Sequence, residues 1–174
     1  GLVDRRTGSV MVNGRETIAM QTHRIVHLGL GYCPEERGIF ASLTAEENLT
    51  ILPTVGSGGM SVDEIYAMFP NLAERRKSPG SRLSGGEQQM LAIGMALAAR
   101  PKLLLLDEPL LGLSPLMQKH LVESVVRIRA DLGVTTVIAE QFARPILPIL
   151  DYAYVIENGM STMSGNGSEL MENP

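Results

Sequence analysis

The 174-residue sequence holds a single cysteine, Cys33, which excludes an internal disulfide and suits a reducing compartment. It has no basic excess: 15 Lys and Arg stand against 19 Asp and Glu, and a formal net charge of -4 gives no electrostatic case for nucleic acid. It also lacks a long apolar run. The uncharged stretch 88–99 stops at Arg100-Pro101, well short of the roughly 18 to 20 apolar residues that a membrane span needs. Neither an internal repeat, a low-complexity tract nor a signal-peptide pattern is visible. The phosphate-cradling pattern G-x-x-x-x-G-K-S/T occurs nowhere in the chain. The chain opens on Gly1 rather than Met and closes at Asn173-Pro174 just after an apparent helix start at 168–171, so a piece cut at both ends is the expectation.

What is present suits one domain with a single sizeable core and a small subdomain, given 44% hydrophobic residues. Residues 9–12 before Asn13-Gly14 read as a short strand entering a tight turn. Residues 22–28 look helical and end at Gly29, and Leu30–Cys33 is a strand closed by Pro34. Thr44-Ala45-Glu46-Glu47 and Ser61-Val62-Asp63-Glu64 each fit a capping box, with Pro70 expected to end the second helix. Residues 53–59 are expected to form a flexible connector. A helix over 86–99 is followed by a strand, 102–106, whose four leucines after Lys102 are of the kind buried on both faces. Pro115–Leu132, with Gly133 beyond its end, is a helix leading to a second buried strand, Thr135–Ala139. This βαβ unit implies a parallel sheet, and 151–164 closes the chain with a hairpin on Asn158-Gly159.

Two segments carry chemistry. Leu83-Ser84-Gly85-Gly86-Glu87-Gln88-Gln89 puts a hydroxyl and two glycines at a helix start, where uncommitted amides and the positive helix end can hold a phosphate. Leu103-Leu104-Leu105-Leu106-Asp107-Glu108-Pro109 is an apolar strand ending in two carboxylates; the Asp can hold Mg²⁺, and the Glu can orient and deprotonate a water. Alone, the first is an ordinary helix entry and the second a polar strand boundary. Their order and spacing give them meaning.

Together they resemble the signature and Walker B motifs of ABC-type ATPases. Tyr32-Cys33-Pro34-Glu35-Glu36-Arg37, residues 43–49, Met68-Phe69-Pro70-Asn71-Leu72 and Ala139-Glu140-Gln141 narrow the resemblance to the ATP-binding subunit of bacterial branched-chain amino acid importers, over essentially the whole chain. Importers of urea or other amides, and a catalytically inactive truncated or regulatory ABC protein, are the alternatives. A non-transport DNA-repair ATPase would carry long arms between Glu35 and Ser84, which here are separated by only 49 positions.

The resemblance implies an α/β, P-loop-type core lacking its first strands and P-loop helix, with a helical subdomain over roughly 41–82. It implies ATP and Mg²⁺ as cofactors. Ser84, Gly85, Gly86 and Glu87 would meet the γ-phosphate of an ATP held by the P-loop of a second ATPase subunit. Asp107 would hold Mg²⁺, Glu108 would be the general base, and Gln141 would bond the γ-phosphate or attacking water. Glu35 would sit between metal, water and the membrane partner, with residues 112–115 crossing the dimer interface. Permease subunits and, indirectly, a solute-binding protein are the implied partners, at the cytoplasmic face of the inner membrane. The complete protein would be a transport-coupled ATPase; the chain as it stands is not expected to bind or turn over ATP by itself. Three positions depart from the pattern: Leu110 for Ser or Thr, Met95 for Arg, and Phe142 for Asn. Other features have plain structural readings. His23 and His27, four apart, suit a solvated helix face, and Arg75-Arg76-Lys77 complement a helix end.

Overall fold

A computed structural model describes residues 6–53, 55 and 60–172. Its first element is a tight antiparallel hairpin of β1 (Met11–Val12) and β2 (Arg15–Glu16), in which Asn13 and Gly14 take positive φ of 48° and 74°. Two successive left-handed residues match the right-handed twist of the flanking strands, which is why Asn-Gly occupies this turn. The same device closes the final hairpin of β6 (Ala153–Glu157) and β7 (Met160–Gly165), where Asn158 and Gly159 have φ of 51° and 78°.

Between the hairpins, α1 (Thr22–Val26) leads to β3 (Leu30–Cys33), followed by three short helices: α2 (Ala45–Thr50), α3 (Val62–Met68) and α4 (Pro70–Glu74). Both expected capping boxes form. Thr44 accepts from the Glu47 amide while Glu47 reaches back to the Thr44 amide, and Ser61 and Glu64 do the same. Pro70 does more than end α3: Phe69 serves as the C-cap of α3 and N-cap of α4, with Pro70 opening α4 where a missing N–H costs nothing. Of the expected connector, residues 54 and 56–59 lie outside the described residues.

Helix α5 (Gly85–Ala98) is the organising element. Residues 89–97 are buried all round, so this helix lies inside the molecule. It packs on β3 and β4 (Leu103–Asp107) and is covered by α2, α3 and α4. Gly94 permits that cover to approach: a Cβ there would lie 3.0 Å from both Ile65 Cγ2 and Leu49 Cδ2. Helix α6 (Pro115–Leu132) is capped by Ser114 and ended by Gly133 at φ 61°. It buries Leu121, Ser124, Val125 and Ile128, a stripe with helical spacing, against the same core. The final helix, α7 (Gly167–Met171), starts from Asn166.

The central sheet is parallel, in the order β3-β4-β5, with β5 spanning Thr135–Ala139. Cys33 pairs with Leu106, and Asp107 with Ala139, so the three strands end side by side. Burial differs from expectation. In β4, Leu104 and Leu106 are buried while Leu103 and Leu105 are half-buried. Strand β5 is an edge strand rather than a buried one, with Val137 53% exposed; among the described residues its outer edge pairs with no strand.

Candidate functional site

The carboxyl ends of three parallel strands bring four of the expected residues to one edge, the usual location for ligands in open α/β sheets. Glu35 follows β3 on an exposed turn, Asp107 ends β4, Glu108 follows it, and Gln141 follows β5 by one residue. Hydrogen bonds tie the ends of β4 and β5 together. The Glu108 amide donates to the Ala139 carbonyl at 2.9 Å, and the Gln141 amide approaches Glu108 Oε2 at 3.5 Å. Glu108 holds φ at 44°, a conformation that costs a non-glycine residue about 1 to 3 kcal/mol and persists only where its surroundings impose it.

Tyr32, beside the tip of β4, donates its hydroxyl to Asp107 Oδ2 at 3.0 Å. Burial and the Asp107 carboxylate together raise the Tyr32 hydroxyl above its ordinary pKa, so it remains the proton donor of that bond. Asp107 thereby has one oxygen committed within the protein. Glu140 is the other unforeseen member. Its Oε1 accepts from the Leu110 amide at 2.7 Å, spanning the segment after β4 and the end of β5. Burial raises its carboxyl above the ordinary carboxylate range, with the neighbouring Glu108 acting in the same direction and the Leu110 amide opposing.

Among the described residues no cluster of three or more His, Cys, Asp or Glu could chelate a metal. His23 on α1 and His27 at its C-cap are both exposed, in keeping with a solvated face. Asp107 at the strand edge, with Glu35 on the same edge, fits Mg²⁺, which keeps its waters and is usually held by one or two carboxylates together with substrate phosphates. Cys33 lies beneath this edge, buried, with its thiol accepting from Gln89 Nε2 at 3.7 Å. Burial pushes the thiol up to about 12, which removes it as a nucleophile at neutral pH.

The second group of expected residues sits at the start of α5. Ser84 is the N-cap, and Gly85 and Gly86 lie inside the first turn rather than before it. A capping box uses the Ser84 and Glu87 amides, leaving those of Gly85 and Gly86 directed out of the helix end. Gly86 has a packing duty as well: a Cβ there would meet Met117 Cε of α6 at 2.8 Å. Glu87 also pairs with Arg75 at 3.5 Å, so Arg75 has a partner beyond the helix end it follows. Arg37, in the turn after Glu35, donates to Gln88 Oε1 at 2.8 Å and to Gln89 Oε1 at 3.2 Å, joining that turn to α5. Among the described residues no hydrogen bond or ion pair joins residues 84–87 to Asp107, Glu108 or Gln141, so the two groups form separate patches.

The three departures differ in setting. Leu110 and Met95 are core residues, 2% and 5% exposed, whereas Phe142 is 71% exposed. Position 110 therefore acts through its backbone amide and its packing. Tyr32, Arg37 and Glu140 all lay within segments the sequence had marked, but their partners are 75, 51 and 30 residues away. No local pattern announces such pairs.

The family model described as ABC transporter matches residues 1–111. The chain is 40% identical over 171 residues to the high-affinity branched-chain amino acid transport ATP-binding protein BraG of Pseudomonas aeruginosa, covering 97% of this chain and 73% of that protein. It is 36% identical over 175 residues to the probable branched-chain amino acid transport ATP-binding protein LivF of Archaeoglobus fulgidus, covering 99% of this chain and 74% of the relative. In three dimensions it resembles a dimeric ATP-binding cassette in a post-hydrolysis state bound to ADP and Pi, with TM-score 0.77, 20% identity, and coverage of 92% and 73%.

Proposed function

Because the chain belongs to the ABC transporter ATP-binding family, it is the ATP-hydrolysing, energy-coupling component of a transporter, and we propose that this transporter is an importer of branched-chain amino acids. The observation that carries the solute assignment is the 40% identity over 97% of the chain to a protein named for that transport. The segments Tyr32-Cys33-Pro34-Glu35-Glu36-Arg37 and Ala139-Glu140-Gln141 support it.

In this proposal the two patches serve two different ATP molecules of a head-to-tail pair. Gly85 and Gly86, with uncommitted amides at a helix start, suit the γ-phosphate of nucleotide held by the facing subunit, while Ser84 and Glu87 maintain the cap that aims them. Asp107 would hold Mg²⁺, whose bound state would neutralise phosphate charge. Glu108 accepts the proton of the attacking water, its position fixed by the turn after β4. Gln141 orients that water through its amide, which donates and accepts but carries no proton onward. Glu35, exposed beyond β3, would sit near the metal and water and would link their presence to residues 41–82, the proposed helical subdomain, which holds α2, α3 and α4 and would dock on the permease.

Among the described residues no helix is long and apolar enough to cross a membrane. From the likeness to transport ATP-binding proteins, the proposed location is peripheral, at the cytoplasmic face of the inner membrane on the permease subunits, with a solute-binding protein engaged indirectly and no nucleic acid. The test is uptake by membrane vesicles of the assembled transporter. Labelled leucine, isoleucine or valine should enter in an ATP-dependent manner and compete with one another; urea uptake with no branched-chain uptake would replace the solute assignment.

A further inference from the structure

We propose that Glu140 is a positioning residue that clamps the turn carrying Glu108 to the end of β5 and thereby holds the base in its reactive place. The proposal rests on the reading of Glu108 as the base. Glu108 adopts φ 44° immediately after β4, a conformation that must be imposed from outside. Three bonds impose it. The Glu108 amide donates to Ala139 O, the Leu111 amide donates to Glu108 O at 3.1 Å, and the Leu110 amide donates to Glu140 Oε1 at 2.7 Å. The first two are backbone bonds, so Glu140 supplies the only side chain in the set.

Its placement suits a clamp between two catalytic segments. The same carboxylate faces the Phe142 amide, one residue beyond Gln141, and lies beside the Glu108 carboxyl. One side chain thus ties the Glu108-Pro109-Leu110 turn to the segment that presents Gln141. Leu110 strengthens the arrangement: its side chain is 2% exposed, so with no acceptor from Glu140 its amide would be left buried without a partner, an arrangement proteins avoid. The turn would then shift to find another acceptor and carry Glu108 with it. A displacement of about 1 Å in a reacting group can cost on the order of 10²-fold in rate. Glu140 does not need to touch nucleotide for this.

The experiment compares Glu140→Ala with Glu140→Gln, which keeps an oxygen for the Leu110 amide. Two quantities are read: hydrogen exchange of the Leu110 amide in this chain, and the kcat and KM for ATP of a transporter assembled with the subunit completed by a phosphate-binding loop. Glu140→Ala should speed Leu110 exchange about tenfold or more and lower kcat about tenfold or more, with KM for ATP within about twofold, because binding is untouched. Glu140→Gln should keep kcat within about threefold of wild type, since the acceptor survives. Unchanged kcat in Glu140→Ala, or equal losses in both variants, would overturn the clamp. A Glu108→Gln control separates the layers. Slow turnover there with normal turnover in Glu140→Ala refutes the clamp alone, whereas wild-type turnover in Glu108→Gln removes Glu108 as the base and the clamp's role with it.

Discussion

Asn48 offers the sharpest test of how the segment after Glu35 is held. It is fully buried, at 0% exposure, on the inner face of α2. Its Oδ1 accepts from the Phe40 amide at 2.8 Å, and its Nδ2 donates to the carbonyls of Phe40, Leu43 and Thr44 at 3.0, 3.2 and 2.9 Å. One side chain therefore replaces the secondary-structure partners that residues 40–44 lack. The two Nδ2 hydrogens are shared among the three carbonyls, so the side chain makes about three full bonds; at a net of about 0.5 to 1.5 kcal/mol each, Asn48→Ala should cost about 1.5 to 4.5 kcal/mol. At about 2 to 4 °C per kcal/mol for a chain of this size, the melting temperature should drop by about 3 to 18 °C. Asn48→Asp should be worse at neutral pH despite its closer shape, because it turns a second oxygen toward three carbonyls. A carboxyl in that place has a folded-state pKa raised above its unfolded value, so the variant loses stability as pH rises above about 4 and recovers as pH falls toward it. Urea denaturation followed by circular dichroism at pH 7 and pH 5 measures both effects. A loss under about 0.5 kcal/mol in Asn48→Ala, or an Asp variant as stable as wild type at pH 7, would refute the reasoning.

In a subunit completed with a phosphate-binding loop, Ser84→Arg should abolish hydrolysis in the assembled transporter while leaving ATP binding by the isolated completed subunit nearly intact, because the helix start meets nucleotide only across the pair; equal loss of both in equilibrium binding and turnover assays would place Ser84 in its own subunit's site. Gly94→Val should destabilise by about 1 to 3 kcal/mol in thermal denaturation, since even a Cβ would lie 3.0 Å from Ile65 and Leu49. Cys33 should resist a thiol reagent at pH 8 until the protein unfolds: with the thiol pushed up to about 12, its thiolate fraction is on the order of 10⁻⁴. Rapid labelling of native protein at that pH would contradict its buried placement.

Legibility followed distance along the chain. Thr44, Ser61, Asn13-Gly14, Asn158-Gly159 and Gly133 act on backbone within four residues, and each does what its local pattern implies. The same locality misleads where tertiary neighbours decide. Thr135–Ala139 has the composition of a buried strand, yet it lies at a sheet edge, because burial belongs to the neighbours a strand receives and not to the strand. Pro70 signals a break equally well whether it ends one helix or opens the next. At the site, Asp107, Glu108 and Gln141 were legible as motif members, and the parallel register brings them to one edge. Their supports were not. Tyr32 and Glu140 become meaningful only once the fold brings their distant partners beside them.

Central to the account is that Glu108 removes the proton from the attacking water, and the most direct measurement is steady-state ATP hydrolysis by a transporter assembled with the subunit completed by a phosphate-binding loop and carrying Glu108→Gln. The amide preserves shape and hydrogen bonding but cannot accept a proton, so turnover should fall by about 10² to 10⁴ while ATP-driven pairing of the subunits persists. Wild-type turnover in that variant would contradict the assignment of Glu108 as the base.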